Sequence, residues 1–167
     1  MVERLGGICV EVKETAARGY SMAEFDGHGE FEKEVRTSFA RQKFMGVLGA
    51  SLTEVRPGAV EIRMPFREDL TQHHGYLHAA VVTALVDNAC GFAAMSVAAP
   101  GVEMLTVEYK VNFLAPAIGE ILIARGVVKK RGKTFTICTS EAFMVRDGKE
   151  QSVAMMTSTI VGVVAKK

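Results

Sequence analysis

The longest apolar run of the chain extends from Leu77 to Ala99 and consists mainly of Ala, Val, Leu and Met. Its apolar residues fall on every side of a 3.6-residue period, which predicts a helix that is either enclosed by the rest of the fold or inserted in a membrane. Asp87 and Asn88 lie in its middle, where a carboxylate is costly unless it is paired or used chemically. These polar residues and the soluble-type strands downstream argue against a membrane span.

Apolar residues recur at three- and four-residue spacing between Phe31 and Leu48, which predicts an amphipathic helix before the apolar run. Two strands are expected next, from Ala50 to Glu54 and from Ala59 to Met64. The residues between them include Arg56-Pro57-Gly58 and predict a turn, because proline fixes φ and glycine tolerates positive φ.

Four further strands are predicted after the long helix. The first, Leu105 to Phe113, has the strictest alternation of apolar and polar residues in the sequence. The others extend over Glu120–Lys130, Thr134–Val145 and Gln151–Val164, with tight turns at Arg131-Gly132-Lys133 and Asp147-Gly148. Such short turns favour an antiparallel meander. The whole pattern predicts an α+β fold in which about six antiparallel strands curl around one central helix.

The chain has 167 residues, of which 49% are hydrophobic, and this is enough for one domain with a sizeable core. We place that domain at residues 31–167. Residues 1–30 are expected to form an N-terminal extension, in which Ile8 to Val12 suits a short strand. A mobile arm and a segment that contacts a partner are the alternatives.

Charge and cysteine content exclude several classes of function. The formal net charge is +1, so no overall field attracts nucleic acid or a membrane surface. Three cysteines without metal-like spacing favour a reduced, cytoplasmic setting, and the first residues lack the features of a signal peptide. We therefore expect no metal site, no nucleic-acid partner and no membrane association.

The entrance to the long helix carries the most informative motif. It reads Gln72-His73-His74-Gly75-Tyr76-Leu77-His78-Ala79-Ala80, and Asp87 follows nine residues after His78. This pattern resembles the hot-dog-fold acyl-CoA thioesterases of the phenylacetate-pathway (PaaI-like) and thioesterase-superfamily type. Those enzymes carry Asn-x-x-Gly-x-x-His-Gly-Gly and then an Asp nine residues after the His. The similarity extends over residues 39–163 and includes the Asn-Phe-Leu-Ala-Pro run at residues 112–116.

Two positions depart from that motif. Gln72 replaces the Asn of many members, as in related aryl-CoA thioesterases, so its role can be retained. Ala79-Ala80 replaces Gly-Gly. The backbone N–H groups remain, but a methyl group now lies where the thioester is expected.

The resemblance implies hydrolysis of an acyl-CoA to a carboxylic acid and CoA without a metal or redox cofactor. Asp87 is then a general base that activates water or a nucleophile that forms a mixed anhydride, and the sequence leaves both open. The backbone N–H of Ala79, near the positive end of the helix dipole, is the expected oxyanion donor. Gln72 is expected to orient the carbonyl or the water, and Thr106 to assist Asp87.

Further residues are expected to contact the substrate. They are Gly75, His78 and Asn88 near the helix, and Lys130 and Arg131, whose charges suit the phosphates of CoA. The simpler interpretations are structural: His78 orients the entrance loop, Asp87 accepts a hydrogen bond, and the basic cluster of residues 129–133 is a solvated turn.

Helix geometry predicts a site shared between subunits. His78 and Asp87 point to opposite sides of the helix and lie about 13.5 Å apart along its axis, so they cannot converge on one carbonyl within a single chain. Two antiparallel copies related by a two-fold axis bring the start of one helix to the middle of the other. The resemblance likewise assigns Asp87 and Thr106 to one chain, Gln72 and Ala79 to the next, and favours a homotetramer of paired dimers.

Two other functions stay open on the same fold. A non-catalytic protein that binds acyl-CoA or fatty acid is the alternative that the Ala79-Ala80 entrance supports. A dehydratase or hydratase ranks lower, because the chain lacks the His-Phe-Pro-Gly type of entrance found in those enzymes.

Overall fold

The computed structural model describes residues 2–5, 8–11 and 30–165, with side chains placed for residues 30–164. The helices are α1 (Glu30–Ala40), α2 (Lys43–Leu48) and α3 (Ala79–Met95), with a short 3₁₀ turn at Glu68–Leu70. The strands are β1 (Val2–Leu5), β2 (Ile8–Glu11), β3 (Ser51–Arg56), β4 (Ala59–Pro65), β5 (Val102–Phe113), β6 (Ile121–Arg131), β7 (Phe135–Arg146) and β8 (Lys149–Ala165). Most of the predicted N-terminal extension, residues 12–29, lies outside the described residues.

All strands join one antiparallel sheet in the order β1-β2-β8-β7-β6-β4-β3, and β5 pairs with the other edge of β8. The prediction of about six strands around a long helix is confirmed for β3 to β8, and the β1–β2 pair extends the end of β8. The Asp147-Gly148 turn is also confirmed, with φ of 50° and 70°.

The predicted meander is correct for β6, β7 and β8 but wrong for β5, which does not lie beside β6. The loop of residues 114–120 crosses beneath the start of α3, where the Leu77 N–H donates to the Ala117 carbonyl at 2.9 Å. The chain therefore passes β8 and β7 before β6 begins between β7 and β4, and β5 is left as an edge strand among the described residues.

The prediction of one helix over residues 31–48 is also wrong, because the structure has two helices there. The segment divides into α1 and α2 because Gln42 has an extended backbone, with φ −74° and ψ 95°. The change of direction buries Met45 and Leu48 while Phe44 stays 55% exposed. In α1, Phe39 packs edge-on against Phe92 of α3, with ring centroids 5.4 Å apart.

Helix α3 packs against the concave face of the sheet, in contact with β4 to β8. The two elements approach closely at Gly126 of β6, where an added Cβ would lie 2.2 Å from the Ala89 carbonyl oxygen. The buried face of the helix comprises Val81, Val82, Leu85, Val86, Ala89, Cys90, Phe92, Ala93 and Ala94.

The described residues of one chain nevertheless do not enclose this helix on every side, contrary to the prediction. One stripe at three- and four-residue spacing is exposed or half-buried and consists of Ala80, Thr83, Ala84, Asp87, Asn88, Gly91 and Met95. We call this the open stripe. No helix in the part of the chain that the structure describes is long and apolar enough to cross a bilayer.

Candidate active site

Asp87 lies half-buried on the open stripe, at the middle of α3. Thr106 of β5 donates a hydrogen bond from Oγ1 to Asp87 Oδ1 at 2.8 Å. Burial raises the pKa of the Asp87 carboxyl, and the hydrogen bond from Thr106 offsets only part of that effect. The result is a carboxylate that is more basic than an ordinary aspartate and is held in one orientation, as a general base requires.

A β-bulge places Thr106 on the side of the sheet that faces α3. Thr106 pairs with Ile160, whereas Glu108 pairs with the next residue of β8, Thr159, so Val107 is an extra residue in the ladder. Strict alternation would put Thr106 and Tyr109 on opposite faces. The bulge instead puts both on the helix side, since their β8 partners Ile160 and Ser158 are fully buried.

A cleft of about 300 Å³ opens beside Asp87. We call it the Asp87 cleft. Its lining includes Asp87, Asn88, Gly91 and Met95 of α3, the first part of β5 as far as Thr106, and the end of α1. Asn88 is anchored within its own helix, because its Nδ2 donates to the Ala84 carbonyl at 2.9 Å. The carboxylate of Asp87 is therefore accessible to a small molecule.

The start of α3 presents a free backbone donor. His78 is the N-cap, and its Nδ1 accepts the Ala80 N–H at 3.0 Å while its carbonyl accepts the Val81 N–H at 2.9 Å. Ala79 is the first residue of the helix and is exposed, and its N–H makes no hydrogen bond among residues 30–165. This N–H lies at the positive end of the helix dipole and can donate a hydrogen bond to a bound ligand.

The loop before α3 is a compact turn. The Gln72 Oε1 atom accepts the His74 N–H at 2.7 Å, and the Gly75 N–H donates to the Gln72 carbonyl at 2.9 Å. Gly75 has φ +80°, a conformation that glycine adopts without strain. Because Oε1 is engaged in the turn, the side-chain NH₂ of Gln72 is the group left to contact a ligand.

The basic cluster lies on the β6–β7 hairpin. The strand register connects Thr106 through Ile160 and Thr136 to Arg131, so Arg131 is three strand spacings, about 14 Å, from Thr106. Lys130 is exposed and Arg131 is half-buried. The hairpin is on the side of the sheet near the end of α3, since the Val128 N–H donates to the Gly58 carbonyl and the Gly58 N–H donates to Ser96.

The structure thus assembles the predicted residues into two groups rather than one. Asp87, Thr106 and Asn88 meet at the Asp87 cleft, whereas Ala79, His78 and the 72–75 turn meet at the start of α3. Ala79 and Asp87 are eight residues apart, which is about 12 Å along the axis. A single chain does not bring the two groups together.

The cleft also contains a residue that sequence reasoning missed. Gly91 follows Asp87 by four residues, and Met95 follows by eight, so all three share one face of α3. That spacing is a signal that was available in the sequence. The residues that β5 and the end of α1 contribute to the cleft depend on the bulge and on the helix break. Neither feature has a signal in the sequence.

Cys90 does not belong to the chemistry of this site. It is fully buried, and burial raises the pKa of its thiol to about 11. Such a thiol carries little thiolate near neutral pH and is a poor nucleophile. No cluster of three or more His, Cys, Asp or Glu side chains suited to a metal occurs among the described residues.

Known proteins match this chain in both sequence and structure. The model of the thioesterase superfamily matches residues 74–150. Acyl-coenzyme A thioesterase 13 of Homo sapiens is 31% identical over 112 residues, which are 65% of this chain and 78% of that protein. A thioesterase family protein from Silicibacter pomeroyi is 46% identical, with a TM-score of 0.79 over 81% of this chain and 99% of the other.

A more distant structure agrees in fold. The PaaI protein of the Escherichia coli phenylacetic acid degradation operon has a TM-score of 0.75 at 17% identity, over 84% of this chain and 99% of the other. The sheet wrapped around α3 is thus the hot-dog fold. The chain belongs to the thioesterase superfamily, and it is a thioester hydrolase.

Proposed function

We propose that this protein hydrolyses acyl-CoA thioesters to a carboxylic acid and CoA, in a site formed by two copies of the chain. The observation that carries the proposal is the Asp87–Thr106 pair, which holds a carboxylate of raised pKa at the edge of an open cleft. The acyl-coenzyme A thioesterase named above, which is similar over 65% of this chain, supports CoA as the thiol part of the substrate.

Asp87 acts in one of two ways. As a general base it takes a proton from water while the water oxygen attacks the thioester carbonyl, and the C–S bond breaks to release the CoA thiolate, which is then protonated. As a nucleophile the carboxylate attacks the carbonyl itself and displaces the thiolate, and water then cleaves the mixed anhydride. In both cases negative charge develops on the carbonyl oxygen.

That charge is stabilised by the free Ala79 N–H at the start of α3 of the second copy. The geometry of a helix N-terminus suits an oxyanion, and removal of such a donor costs about 10²–10³ in rate. The side-chain NH₂ of Gln72, beside Ala79 in the same group, orients the carbonyl or the attacking water. His78 and Gly75 shape this end of the site, and Asn88 lies beside Asp87.

Two features of the single chain favour the shared site. The edge strand β5 exposes four large apolar side chains on its two faces, Leu105, Val107, Tyr109 and Phe113, each 47–54% exposed. A long apolar edge strand is an aggregation hazard unless another strand covers it. The open stripe of α3 includes the small or apolar residues Ala80, Ala84, Gly91 and Met95 and adjoins this edge. A second copy that pairs with β5 covers both and brings its helix start toward Asp87.

The basic hairpin is the proposed contact for CoA. Lys130 and Arg131 supply positive charge near the end of α3, and arginine binds phosphate oxygens in a bidentate manner. In an antiparallel pair of helices this end of one chain lies near the helix start of the other. The phosphates and the thioester then occupy neighbouring parts of one site. Association of such dimers into a homotetramer stays a prediction.

The first experiment replaces Asp87 by Asn and measures release of free thiol from a panel of acyl-CoAs. We expect turnover to fall about 10²–10⁴-fold, the usual contribution of a general base. The protein should remain folded, because the substitution removes the cost of burying a charge. Cys90→Ala, three residues further along α3, is the matched control and should retain activity.

Turnover close to wild-type in the Asp87→Asn variant would remove Asp87 from the mechanism. Binding of acyl-CoA by the wild-type protein without thiol release at any chain length would instead support the non-catalytic alternative.

A further inference from the structure

Gly91 is an unexpected residue at its position in α3. Glycine in a helix interior is less favourable than alanine, because it loses more backbone freedom on folding. Contact with the fold does not require it, since a Cβ added at Gly91 would meet no atom within 4 Å. Gly126 is different, because an added Cβ there would clash with the backbone of α3. The space that Gly91 leaves open lies in the Asp87 cleft.

Gly91 lies one helical turn beyond the carboxylate of Asp87. Asp87, Gly91 and Met95 succeed one another by single turns on the open stripe, so the cleft wall continues for about 12 Å beyond Asp87. The side chains that flank this wall include the apolar Phe92, Met104 and Leu105, and the polar Ser38 and Gln42 lie on the opposite, α1 side of the cleft. A hydrocarbon chain that lies along Gly91 and Met95 buries apolar surface against the first group.

The charge at the margin of the cleft restricts the ligand further. Glu103 belongs to the cleft lining, and its carboxylate is paired with Arg41 at 3.3 Å, with both side chains well exposed. A carboxylate carried by the acyl group would approach the acidic side chain of Glu103, whose partner Arg41 is already engaged. The surroundings therefore favour a neutral acyl group.

We infer that Gly91 is the residue that determines which acyl groups the site accepts, and that the cleft takes a neutral acyl group whose hydrocarbon body extends beyond the first few carbons. This inference rests on the proposed function, because it assumes that the thioester carbonyl is held at Asp87. The missing side chain at Gly91 leaves room for the acyl body one helical turn from the reacting carbon. A methyl group there shortens the cleft without disturbing Asp87.

The test compares Gly91→Ala and Gly91→Val with wild-type protein against straight-chain acyl-CoAs from acetyl to dodecanoyl. A methyl group in an apolar pocket changes kcat/KM by about 10–200-fold. For Gly91→Ala we expect kcat/KM to stay within about twofold of wild-type for acetyl-CoA and to fall at least roughly tenfold for the longer chains. For Gly91→Val we expect the fall in kcat/KM to begin at a shorter chain length than for Gly91→Ala.

Gly46→Ala is the matched control. Gly46 is an exposed glycine inside α2, outside the cleft lining, and an added Cβ there also meets no atom within 4 Å. Both alanine variants replace a helical glycine and should have a Tm equal to or above that of wild-type. Only Gly91→Ala should change the dependence of kcat/KM on chain length.

Three results are decisive. An equal loss of kcat/KM for all chain lengths, or no loss for any, overturns the inference, because Gly91 then does not discriminate between acyl groups of different length. A wild-type protein that releases no thiol contradicts the proposed function rather than the role of Gly91. In that case titration calorimetry with the same panel decides, and a loss of affinity in Gly91→Ala that grows with chain length supports the inference.

Discussion

At the scale of single residues, we expect the environment of Asp87 to set the pH range in which the enzyme works. Burial favours the neutral carboxyl and raises its pKa, while the Thr106 hydroxyl favours the carboxylate and lowers it. Either proposed mechanism requires the carboxylate. Activity should therefore rise with pH as Asp87 loses its proton, above the pH at which an ordinary aspartate does so.

Thr106→Val should move this rise to higher pH. The valine cannot donate a hydrogen bond to the carboxylate, so the pKa of Asp87 increases and less carboxylate is present at any pH below the plateau. A hydrogen bond to a charged group contributes about 1.5–3 kcal/mol, so we expect kcat/KM on the acidic limb to fall roughly tenfold or more. At pH values above the new pKa the loss should be smaller.

The measurement is a profile of kcat/KM against pH for wild-type and variant. Thr159→Val is a suitable control, because Thr159 donates to the exposed carboxylate of Glu108 at 2.7 Å and makes no contact with Asp87. An acidic limb that stays in place in Thr106→Val would mean that Asp87 is not the group whose ionisation limits the rate.

At the scale of single elements, strand β5 connects the site to assembly. It carries Thr106 on its helix side, and its outer edge pairs with no strand that the structure describes. The same strand that orients Asp87 is therefore the one that we expect to contact the second copy. Loss of the pairing should reduce activity even where every site residue is retained.

Val107→Lys tests this expectation. Two lysines brought together across a two-fold axis repel each other, and charged side chains on an edge strand prevent strand pairing. We expect monomers with at least roughly 10²-fold lower kcat/KM, because the oxyanion donor of the second copy is lost. Sedimentation equilibrium and thiol release measure the two effects on the same samples.

Val127→Lys is the matched control, because Val127 is an exposed valine on the interior strand β6. It should keep the dimer and its activity. A monomeric but fully active Val107→Lys protein would exclude the shared site.

The elements themselves were largely predictable from sequence, because their signals are local. The apolar run predicted α3, alternation predicted the strands, and Asp147-Gly148 predicted a hairpin. The break at Gln42 and the bulge at Val107 were not predictable, since both depend on packing between distant segments. The pairing of Thr106 with Asp87 was expected from the resemblance rather than from alternation, which places Thr106 on the wrong face.

At the scale of the whole molecule, a shared site has a consequence for mixed assemblies. Two variants that damage opposite halves of the site should restore each other in a mixed dimer, where one site contains both intact halves and the other contains neither. Asp87→Asn damages one half. Ala79→Pro damages the other by removing the proposed oxyanion N–H, and proline is well tolerated at the first position of a helix.

The backbone before this position already suits a proline, because His78 has φ −60° and ψ 139°. Ala79→Pro alone should lose about 10²–10³ in rate. When the two variants are unfolded together and refolded at equal concentration, half of the dimers are mixed. We expect thiol release to recover to about a quarter of the wild-type rate.

A mixture of Asp87→Asn with Asp87→Ala provides the control and should stay inactive, since both variants damage the same half. A mixture of Asp87→Asn with Ala79→Pro that is no more active than its parents would show that the two groups do not meet between subunits.

The bulge in β5 also bears on how such a protein tolerates insertion and deletion. Loss of the single codon for Val107 would remove the bulge and restore regular pleating, with Thr106 and Tyr109 two positions apart and both still on the helix side. Every side chain of the site would still be encoded, and an alignment would record only a one-residue gap in a surface strand. The direction of the Thr106 side chain therefore depends on the phase of the strand and not on the extra residue itself.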